Sequence, residues 1–248
     1  MTDAKSLTRI YFPAEPAAHG VCVLGPAEAH HVTHVLRLQP GDAVTLFDGR
    51  GTERDAVIAR IAKSGVTLNA GEPRRVDREP PLAVTLAQGI SSGERMDYTV
   101  QKAVELGVAR IQPLATSRSV VRLDAERAAK RVAHWQAVAV AACEQCGRNS
   151  VPQVLPVAGF AEWLARQREA APLRVLLAPE AQTTLHDLPR PAGAVMLLAG
   201  PEGGLSPQER QDAQGAGFTP VRLGPRVLRT ETAALAALSA MLTLWGDF

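Results

Sequence analysis

The alternation of apolar and polar positions divides the chain into two parts of different character. Up to about residue 72, short apolar runs are separated by turn residues, a pattern typical of a small β-barrel. The predicted strands of this part are 21–24, 44–47, 56–61 and 66–68. A short helix over 26–36, with Pro26 at its start, lies among them. Glu72–Pro81 is charged, proline-flanked and without periodicity, so we expect a linker there.

From Leu82 onward, apolar runs of strand length alternate with amphipathic helical patterns. The predicted strands are 82–90, 108–114, 173–178, 194–199 and 220–223, and the predicted helices are 94–106, 124–146, 160–170, 207–214 and 231–245. Gly107 is expected to end the first of these helices. This alternation predicts an α/β fold with a parallel sheet covered on both faces. Ligands of such folds bind beyond the carboxyl ends of the strands.

Composition adds little to this division but excludes some classes of protein. The 248 residues suffice for one large domain or two small ones, and 46% hydrophobic with 21% charged residues is ordinary for a globular protein. A formal net charge of +2 is too small to indicate a nucleic-acid partner by itself. Three cysteines form no disulfide framework, the first residues contain no apolar signal segment, and no apolar run approaches the roughly 18 residues of a membrane span. We therefore expect a cytoplasmic protein.

A glycine-rich loop after the strand at 194–199 is the first candidate for chemistry. Gly200–Gly204 follows this strand directly, and a helix then begins with Ser206 as N-cap, Pro207 in the first turn and Glu209 completing a capping box. Free backbone N–H groups and close approach to the main chain favour a ligand there. The loop matches neither the P-loop nor the dinucleotide fingerprint, and a plain tight turn explains it equally well.

A second loop of the same design changes this balance. Leu223–Ala233 again runs from a strand through a glycine turn into a helix, with Thr230 as candidate N-cap. Two such loops after successive strands can form one pocket that offers several backbone donors, two arginines and two glutamates. Turn geometry alone does not explain this pairing, so we expect a ligand site.

These two loops resemble those of the bacterial small-subunit rRNA uridine-N3 methyltransferases of the SPOUT superfamily. The resemblance extends over nearly the whole chain and is specific. Its further motifs are His30–Arg37 with Gly41-Asp42, Phe47-Asp48-Gly49, Lys102–Val108, Ser117-Arg118-Ser119, and Glu144–Arg148 with Pro152. It implies an N-terminal PUA-like RNA-binding barrel over 1–73 and a methyltransferase domain with a trefoil knot over 74–248. It also implies S-adenosylmethionine (SAM) as cofactor, a homodimer, and methylation of N3 of one uridine in 16S rRNA near the decoding centre.

The resemblance also assigns candidate cofactor residues. Adenine is expected near the second loop, the methionine end near the first, and Ala178 with Pro179 on the other side; a side chain at Gly203 or Gly224 would fill ligand space. The cofactor-binding candidates are Ala178, Pro179, Ala199, Gly200, Pro201, Glu202, Gly203, Gly204, Leu223, Gly224, Val227, Leu228 and Thr230.

Three residues are candidates for catalysis. Arg229 is expected to stabilise the anion that forms when uridine N3 loses its proton, because a fixed cation at developing charge contributes strongly. Glu231 or Glu144 could accept that proton. Both have structural alternatives, since Glu231 suits the first turn of a helix and Glu144 could pair with Arg148.

The RNA-binding candidates are Arg9, His31, Arg37, Arg118, Gln145 and Arg148. As a set spread over both domains, the arginines among them suit phosphate contacts, although each alone could be an ordinary surface residue. No metal is expected: His30 and His34 have no obvious third ligand, and Cys143-x-x-Cys146 has no second pair.

Other functions remain open from the residues. The pocket could be degenerate in a non-catalytic RNA-binding module, or the enzyme could methylate another RNA base. A nucleotide-phosphate enzyme of another class is disfavoured because the P-loop lysine and the dinucleotide fingerprint are missing.

Overall fold

In the computed structural model, residues 8–63, 65–119, 124–168 and 173–248 are described. The chain forms two compact units. The N-terminal unit comprises the described residues up to Glu79 together with Cys143–Val151, and the C-terminal unit comprises Pro80–Ala142 and Pro152–Phe248. The domain boundary between residues 73 and 74 stays a prediction.

The N-terminal unit contains a mostly antiparallel sheet of six strands. They are β1 (Thr8–Tyr11), β2 (Val21–Val23), β3 (Ala43–Phe47), β4 (Thr52–Ala62), β5 (Gly65–Ala70) and β6 (Arg74–Arg75). The order is β1-β3-β4-β5-β2, with β6 beside β4 and with β1 parallel to β3. The predicted hairpin at Asp48 is present, since its Oδ1 accepts the N–H groups of Arg50 and Thr52 at 2.7 and 3.0 Å.

The helix predicted over 26–36 is present but changes its character halfway. The helix α1 (Pro26–His30) continues as a π-helical turn over His31–Val35. Val32 of this turn is buried in one core cluster with Leu46 and Leu68.

The predicted linker is partly structured, which corrects the expectation of an irregular segment. β6 pairs with the start of β4, placing Arg74 against Glu53. A buried carboxylate needs cationic partners, and the linker arginines supply them. Charge and proline content therefore concealed an ordered element.

The C-terminal unit is an α/β layer structure with seven parallel strands. They are β7 (Ala83–Gly89), β8 (Arg110–Ala115), β9 (Gln153–Val154), β10 (Ala158–Gly159), β11 (Leu173–Leu177), β12 (Ala194–Ala199) and β13 (Thr219–Val221). The order is β10-β8-β7-β12-β11-β13, with β9 beside β8. This sheet confirms the α/β fold class.

Five helices belong wholly or mainly to this unit. They are α2 (Glu94–Glu105), α3 (Ala125–Cys146, whose last turn from Cys143 belongs to the N-terminal unit), α4 (Phe160–Ala165), α5 (Pro207–Gly215) and α6 (Thr230–Trp245). Short 3-10 helices cover Ala18–Gly20 of the N-terminal unit, and Arg166–Arg168 and Leu185–Asp187 of the C-terminal unit.

The local signals explain most of these bounds. Gly107 follows α2 with φ of +81°, as expected for a glycine that ends a helix. The helix predicted over 160–170 ends earlier, and residues 169–170 lie outside the described residues. Leu176, Leu198 and Phe218 belong to a buried core cluster of this unit. Among the helices of the described ranges, none is both long and apolar enough to cross a membrane.

Candidate active site

A cavity of about 560 Å³ lies where three parallel strands of the C-terminal unit end. Its walls come from the segments that follow β11, β12 and β13, namely 177–180, 199–205 and 221–233. The carboxyl ends of neighbouring parallel strands meet at one edge of the sheet, which is where α/β folds bind ligands. The two glycine loops identified in the sequence therefore form one pocket.

The first loop is folded tightly on itself, and two glycines make this possible. A Cβ added at Gly200 would lie 2.9 Å from the backbone nitrogen of Leu205. Gly89, at the end of β7, has the same constraint, because an added Cβ would lie 2.5 Å from Cδ of Pro201. Close backbone packing, rather than a ligand, thus accounts for glycine at these two positions.

Gly203 and Gly224 each have a local reason to be glycine, and the expectation that a side chain at either would fill ligand space stays a prediction. A Cβ at Gly203 would approach Cβ of Arg118 to 3.2 Å, and the Arg118 guanidinium donates to the Gly203 carbonyl at 3.1 Å. At Gly224 an added Cβ would meet no atom within 4 Å, but φ is +88°. Backbone conformation therefore requires glycine there.

The helix that follows the first loop begins as the sequence predicts. Ser206 and Glu209 form a capping box, and Pro207 lies in the first turn of α5. The buried Glu209 carboxylate also accepts the N–H and hydroxyl of Ser117 at 2.7 and 2.9 Å. Burial opposes the charge, but the hydrogen bonds from Ser117 and Ser206 outweigh it and lower the pKa of Glu209. One carboxylate therefore fixes two loops.

The second loop offers unpaired backbone donors to the cavity. Within the described residues, the backbone N–H groups of Leu223, Arg226, Val227 and Leu228 donate no hydrogen bond to the protein. All four residues line the cavity, and Val227 is 80% exposed. A large exposed apolar side chain beside free N–H groups suits a ligand with an apolar face and hydrogen-bonding edges.

A hydrogen-bonded junction joins the two loops. The Thr230 hydroxyl donates to the Gly200 carbonyl at 2.6 Å and accepts from Nε2 of Gln88 at 3.1 Å. The same Nε2 donates to the Gly200 carbonyl at 3.1 Å. Thr230 is the first residue of α6, and Arg229 occupies the N-cap position. The predicted role of Thr230 as N-cap is therefore wrong.

Arg95 lies between the glutamates of the two loops. Its Nη1 is 3.2 Å from Oε1 of Glu202, and its Nε is 4.0 Å from Oε1 of Glu231. Ser92 donates its N–H and its hydroxyl to the same Glu202 oxygen, both at 2.8 Å. Burial raises the pKa of Glu202, but these donors prevail and lower it.

The second carboxylate oxygens of Glu202 and Glu231 are buried and have no hydrogen-bond partner within the described part of the chain. Both glutamates line the cavity. Buried polar atoms normally have partners, so a ligand with hydrogen-bond donors fits this wall.

The cofactor candidates gather as the resemblance implies. All of them except Gly224 line the cavity, and so do Arg229 and Glu231. A volume of this size lies within the range of about 300–1,000 Å³ that holds one small ligand. Free main-chain N–H groups, an exposed valine and unpartnered carboxylate oxygens fit the adenine ring and the cationic amine of SAM. Their roles as ligands of SAM stay predictions.

Glu144 does not line this cavity. It belongs to the N-terminal unit, where its carboxylate accepts the backbone N–H of Tyr11 at 3.0 Å. Burial raises its pKa above the ordinary value for glutamate. The expected partner of Glu144, Arg148, instead forms an ion pair with Glu79.

Two RNA-binding candidates bond internal partners: the side chain of Arg148 is buried, and that of Arg9 is only 11% exposed. Arg9 donates to Glu53 at 3.0 Å and also bonds Asn149. The Glu53 carboxylate also accepts hydrogen bonds from the side chains of Asn149, Arg74 and Arg78 at 3.0 to 3.2 Å. Burial raises the pKa of Glu53, but the hydrogen bonds of Asn149, Arg9, Arg78 and Arg74 lower it to about 2. The Arg9 guanidinium therefore serves the interior of the unit.

The other RNA-binding candidates are exposed. They are His31, Arg37, Arg118 and Gln145. Arg37 has φ of +54°, which is uncommon for a residue with a side chain. A residue keeps such an uncommon backbone conformation only where the surrounding structure imposes it.

Two histidines and two cysteines are rejected as metal ligands on the sequence alone, and the absence of a metal stays an expectation. His30 and His34 stack with ring centroids 4.5 Å apart, and the described ranges contain no group of three or more residues that could hold a metal. Cys143 is buried, and burial raises its pKa to about 12, so this thiol is unreactive.

Gln88 and Arg95 were not among the sequence candidates. Their partners in the two loops lie more than a hundred residues away along the chain. Only the order of strands in the sheet brings them together, and no local motif marks them.

Comparison with known families identifies the class of protein. A family described as RNA methyltransferase domain matches residues 78–242, and one described as RNA methyltransferase PUA domain matches residues 24–70. The first match includes every segment that lines the cavity.

Individual relatives narrow this class. Ribosomal RNA small subunit methyltransferase E of Buchnera aphidicola (subsp. Schizaphis graminum) is 32% identical over 98% of this chain and 98% of the relative. The crystal structure of the Neisseria gonorrhoeae protein of that name, bound to S-adenosyl methionine, is 43% identical, with a TM-score of 0.88 over 98% of this chain and 99% of that one. A Legionella pneumophila methyltransferase in complex with SAM is 42% identical, with a TM-score of 0.93 over the same shares. The chain belongs to the ribosomal RNA small subunit methyltransferase E family.

Proposed function

We propose that this protein transfers the methyl group of SAM to N3 of one uridine in 16S rRNA. The observation that carries the proposal is the cavity formed by two glycine loops, with unpaired backbone donors on one side and buried carboxylate oxygens on the other. Family membership supports it, as do the SAM-bound crystal structures of two relatives. Methylation of another RNA base is the alternative.

The two loops divide the work of holding the cofactor. The main-chain N–H groups between Leu223 and Leu228 bind the adenine edge, and Val227 contacts its face. The wall with Gly200 and Glu202 receives the methionine end, whose amine donates to the free Oε2 of Glu202. Bound SAM supplies an electrophilic methyl group, and the protein contributes alignment and electrostatics.

Arg229 is proposed to stabilise the uracil anion. It is exposed, lines the cavity and occupies the N-cap position of α6. A fixed cation at O2 or O4 favours loss of the N3 proton. Glu231 is the candidate proton acceptor on the same wall, and Nε of Arg95 lies 4.0 Å from one of its oxygens. Glu144 is the weaker candidate, because its carboxylate serves the backbone of Tyr11.

The exposed residues His31, Arg37, Arg118 and Gln145 are proposed as RNA contacts. Arg9 and Arg148 support the fold of the N-terminal unit instead, because their guanidinium groups bond internal partners. A homodimer and a trefoil knot follow from the resemblance, and a cytoplasmic location follows from the sequence composition; all three are part of the proposal.

The proposal is tested with small ribosomal subunits from a strain that lacks the gene. The wild-type protein should restore one methylated uridine, found by mass mapping of 16S rRNA. Arg229→Ala should lose at least a hundredfold in turnover, because removing one donor to a developing anion typically costs about 2.7–4 kcal/mol. Its affinity for SAM, measured by calorimetry, should stay near that of the wild type.

Three results would contradict this assignment. Wild-type turnover by Arg229→Ala would exclude its catalytic role. Methylation at another base would favour the alternative, and no heat of SAM binding would favour a non-catalytic RNA-binding module. Arg229→Lys is the matched variant, since it keeps the charge but loses the planar fork.

A further inference from the structure

The arginines that line the cavity differ in how far their charge is already neutralised. Arg210 pairs with Glu180 at 3.1 Å and donates to the Leu205 carbonyl at 2.9 Å. Arg222 is half-buried and lies close enough to Asp187 to contribute to lowering its pKa, after the backbone N–H and hydroxyl of Thr184. The charge of Arg210 is therefore already paired, whereas Arg222 is half-buried and forms no ion pair with any described residue.

Arg226 and Arg229 are the two cavity-lining arginines that are exposed. Neither forms an ion pair or a side-chain hydrogen bond with any described residue. They lie three positions apart on the second loop, on either side of the exposed Val227. The rim of the cavity thus carries two unneutralised guanidinium groups, only one of which the proposed chemistry uses.

The size of the cavity decides what an anion at this rim could be. About 560 Å³ lies in the range of pockets that hold one small ligand, so a stretch of polynucleotide does not fit inside. A base that undergoes chemistry leaves its stack to enter such a pocket, and its sugar-phosphate backbone stays outside. The phosphates next to the target nucleotide must therefore lie along the rim.

We propose that Arg226 binds a phosphate adjacent to the target nucleotide and so positions the RNA at the mouth of the cavity. The inference rests on the proposed function, because it requires an RNA base to enter this pocket. Arg226 is a binding residue distinct from Arg229, which faces the reacting base. The planar guanidinium suits phosphate.

The test separates RNA contact from cofactor contact. Arg226→Ala, Arg226→Lys and the control Arg190→Ala are each compared with the full-length wild-type protein. Arg190 is an exposed arginine of the same unit that does not line the cavity, so its loss makes the same change in net charge. Binding of a short oligouridylate is measured over a range of salt concentrations, in the presence of S-adenosylhomocysteine.

For Arg226→Ala we expect RNA affinity about tenfold lower, the loss of one hydrogen bond to a charged group. The slope of log K against log salt should become shallower by about 0.7, the value for one phosphate contact to a single strand. Arg226→Lys should regain the slope, and Arg190→Ala should match the wild type. In calorimetry, all variants should bind SAM with wild-type affinity.

Two results would overturn the proposal. A fall in SAM affinity with an unchanged salt slope would assign Arg226 to the methionine carboxylate. A slope equal to that of Arg190→Ala would exclude a phosphate contact. Failure of the wild type to methylate ribosomal subunits would instead contradict the proposed function. The salt slopes would still show whether Arg226 contacts a phosphate.

Discussion

The Thr230 hydroxyl connects the two glycine loops, and its removal tests whether this connection maintains the cavity. Thr230→Val keeps the shape of the side chain but loses two hydrogen bonds, one to the Gly200 carbonyl and one from Gln88. Each is worth about 1 kcal/mol net, so we expect the free energy of unfolding to fall by about 2 kcal/mol. Nε2 of Gln88 keeps its hydrogen bonds to the carbonyls of Gly89 and Gly200, which limits the loss of stability.

The same change should weaken cofactor binding. If the loops separate in the free protein, SAM must bring them together again, and each 1.4 kcal/mol of this cost lowers affinity tenfold. We expect a dissociation constant for SAM that is about tenfold higher. Thr230→Ser is the matched control, because it retains the hydroxyl and should bind SAM as the wild type does.

Urea unfolding and calorimetry measure the two effects. Tryptophan fluorescence reports on the C-terminal unit, which contains Trp135, Trp163 and Trp245. An unchanged slope of the urea transition would show that the variant loses stability without changing its compactness. If Thr230→Val retained wild-type stability and SAM affinity, the hydroxyl would not hold the loops and our account of the junction would fail.

The remaining predictions concern close packing and buried charge. For Gly89→Ala we expect the free energy of unfolding to fall by at least about 2 kcal/mol and SAM binding to be lost, because its Cβ would lie 2.5 Å from Cδ of Pro201. The control is Gly215→Ala, where the added Cβ has no atom within 4 Å, and it should be near neutral in the same assays. Glu53 has a pKa of about 2, below its ordinary value of 4.5, so its contribution of about 3 kcal/mol is complete above pH 4.5 and is lost as pH falls towards 2. Acid titration of unfolding should therefore show less destabilisation in Glu53→Gln than in wild type, and equal acid sensitivity would contradict this origin.

Local patterns predicted the start of α5 well because all its determinants are neighbours. Ser206, Pro207 and Glu209 lie within four consecutive positions, and the capping box depends on nothing else. The second role of Glu209, holding Ser117, joins positions 92 residues apart and leaves no local pattern. The five longer strands of the parallel sheet were predicted from their apolar runs, whereas the two-residue strands β9 and β10 and the order of the strands were not.

The roles of the arginines, in contrast, cannot be predicted from local patterns. Arg9 and Arg37 look alike in the sequence, yet the first is buried against Glu53 and the second is exposed. The difference depends on where a buried carboxylate lies, and Glu53 appears as one polar position in an alternating strand. Thr230 illustrates a similar limit, because the position of Gln88 decided that its hydroxyl would serve the loops rather than cap α6.

The segment Cys143–Val151 has a consequence for dissecting the protein. It follows the body of α3, yet it supplies Asn149 to Arg9 and Glu53 in the N-terminal unit. A polypeptide that ended at Glu79 would contain every strand of the six-stranded sheet but would leave the buried Glu53 carboxylate without the amide donor of Asn149. An autonomous N-terminal fragment must therefore be discontinuous, with residues 143–151 joined to it through a designed linker.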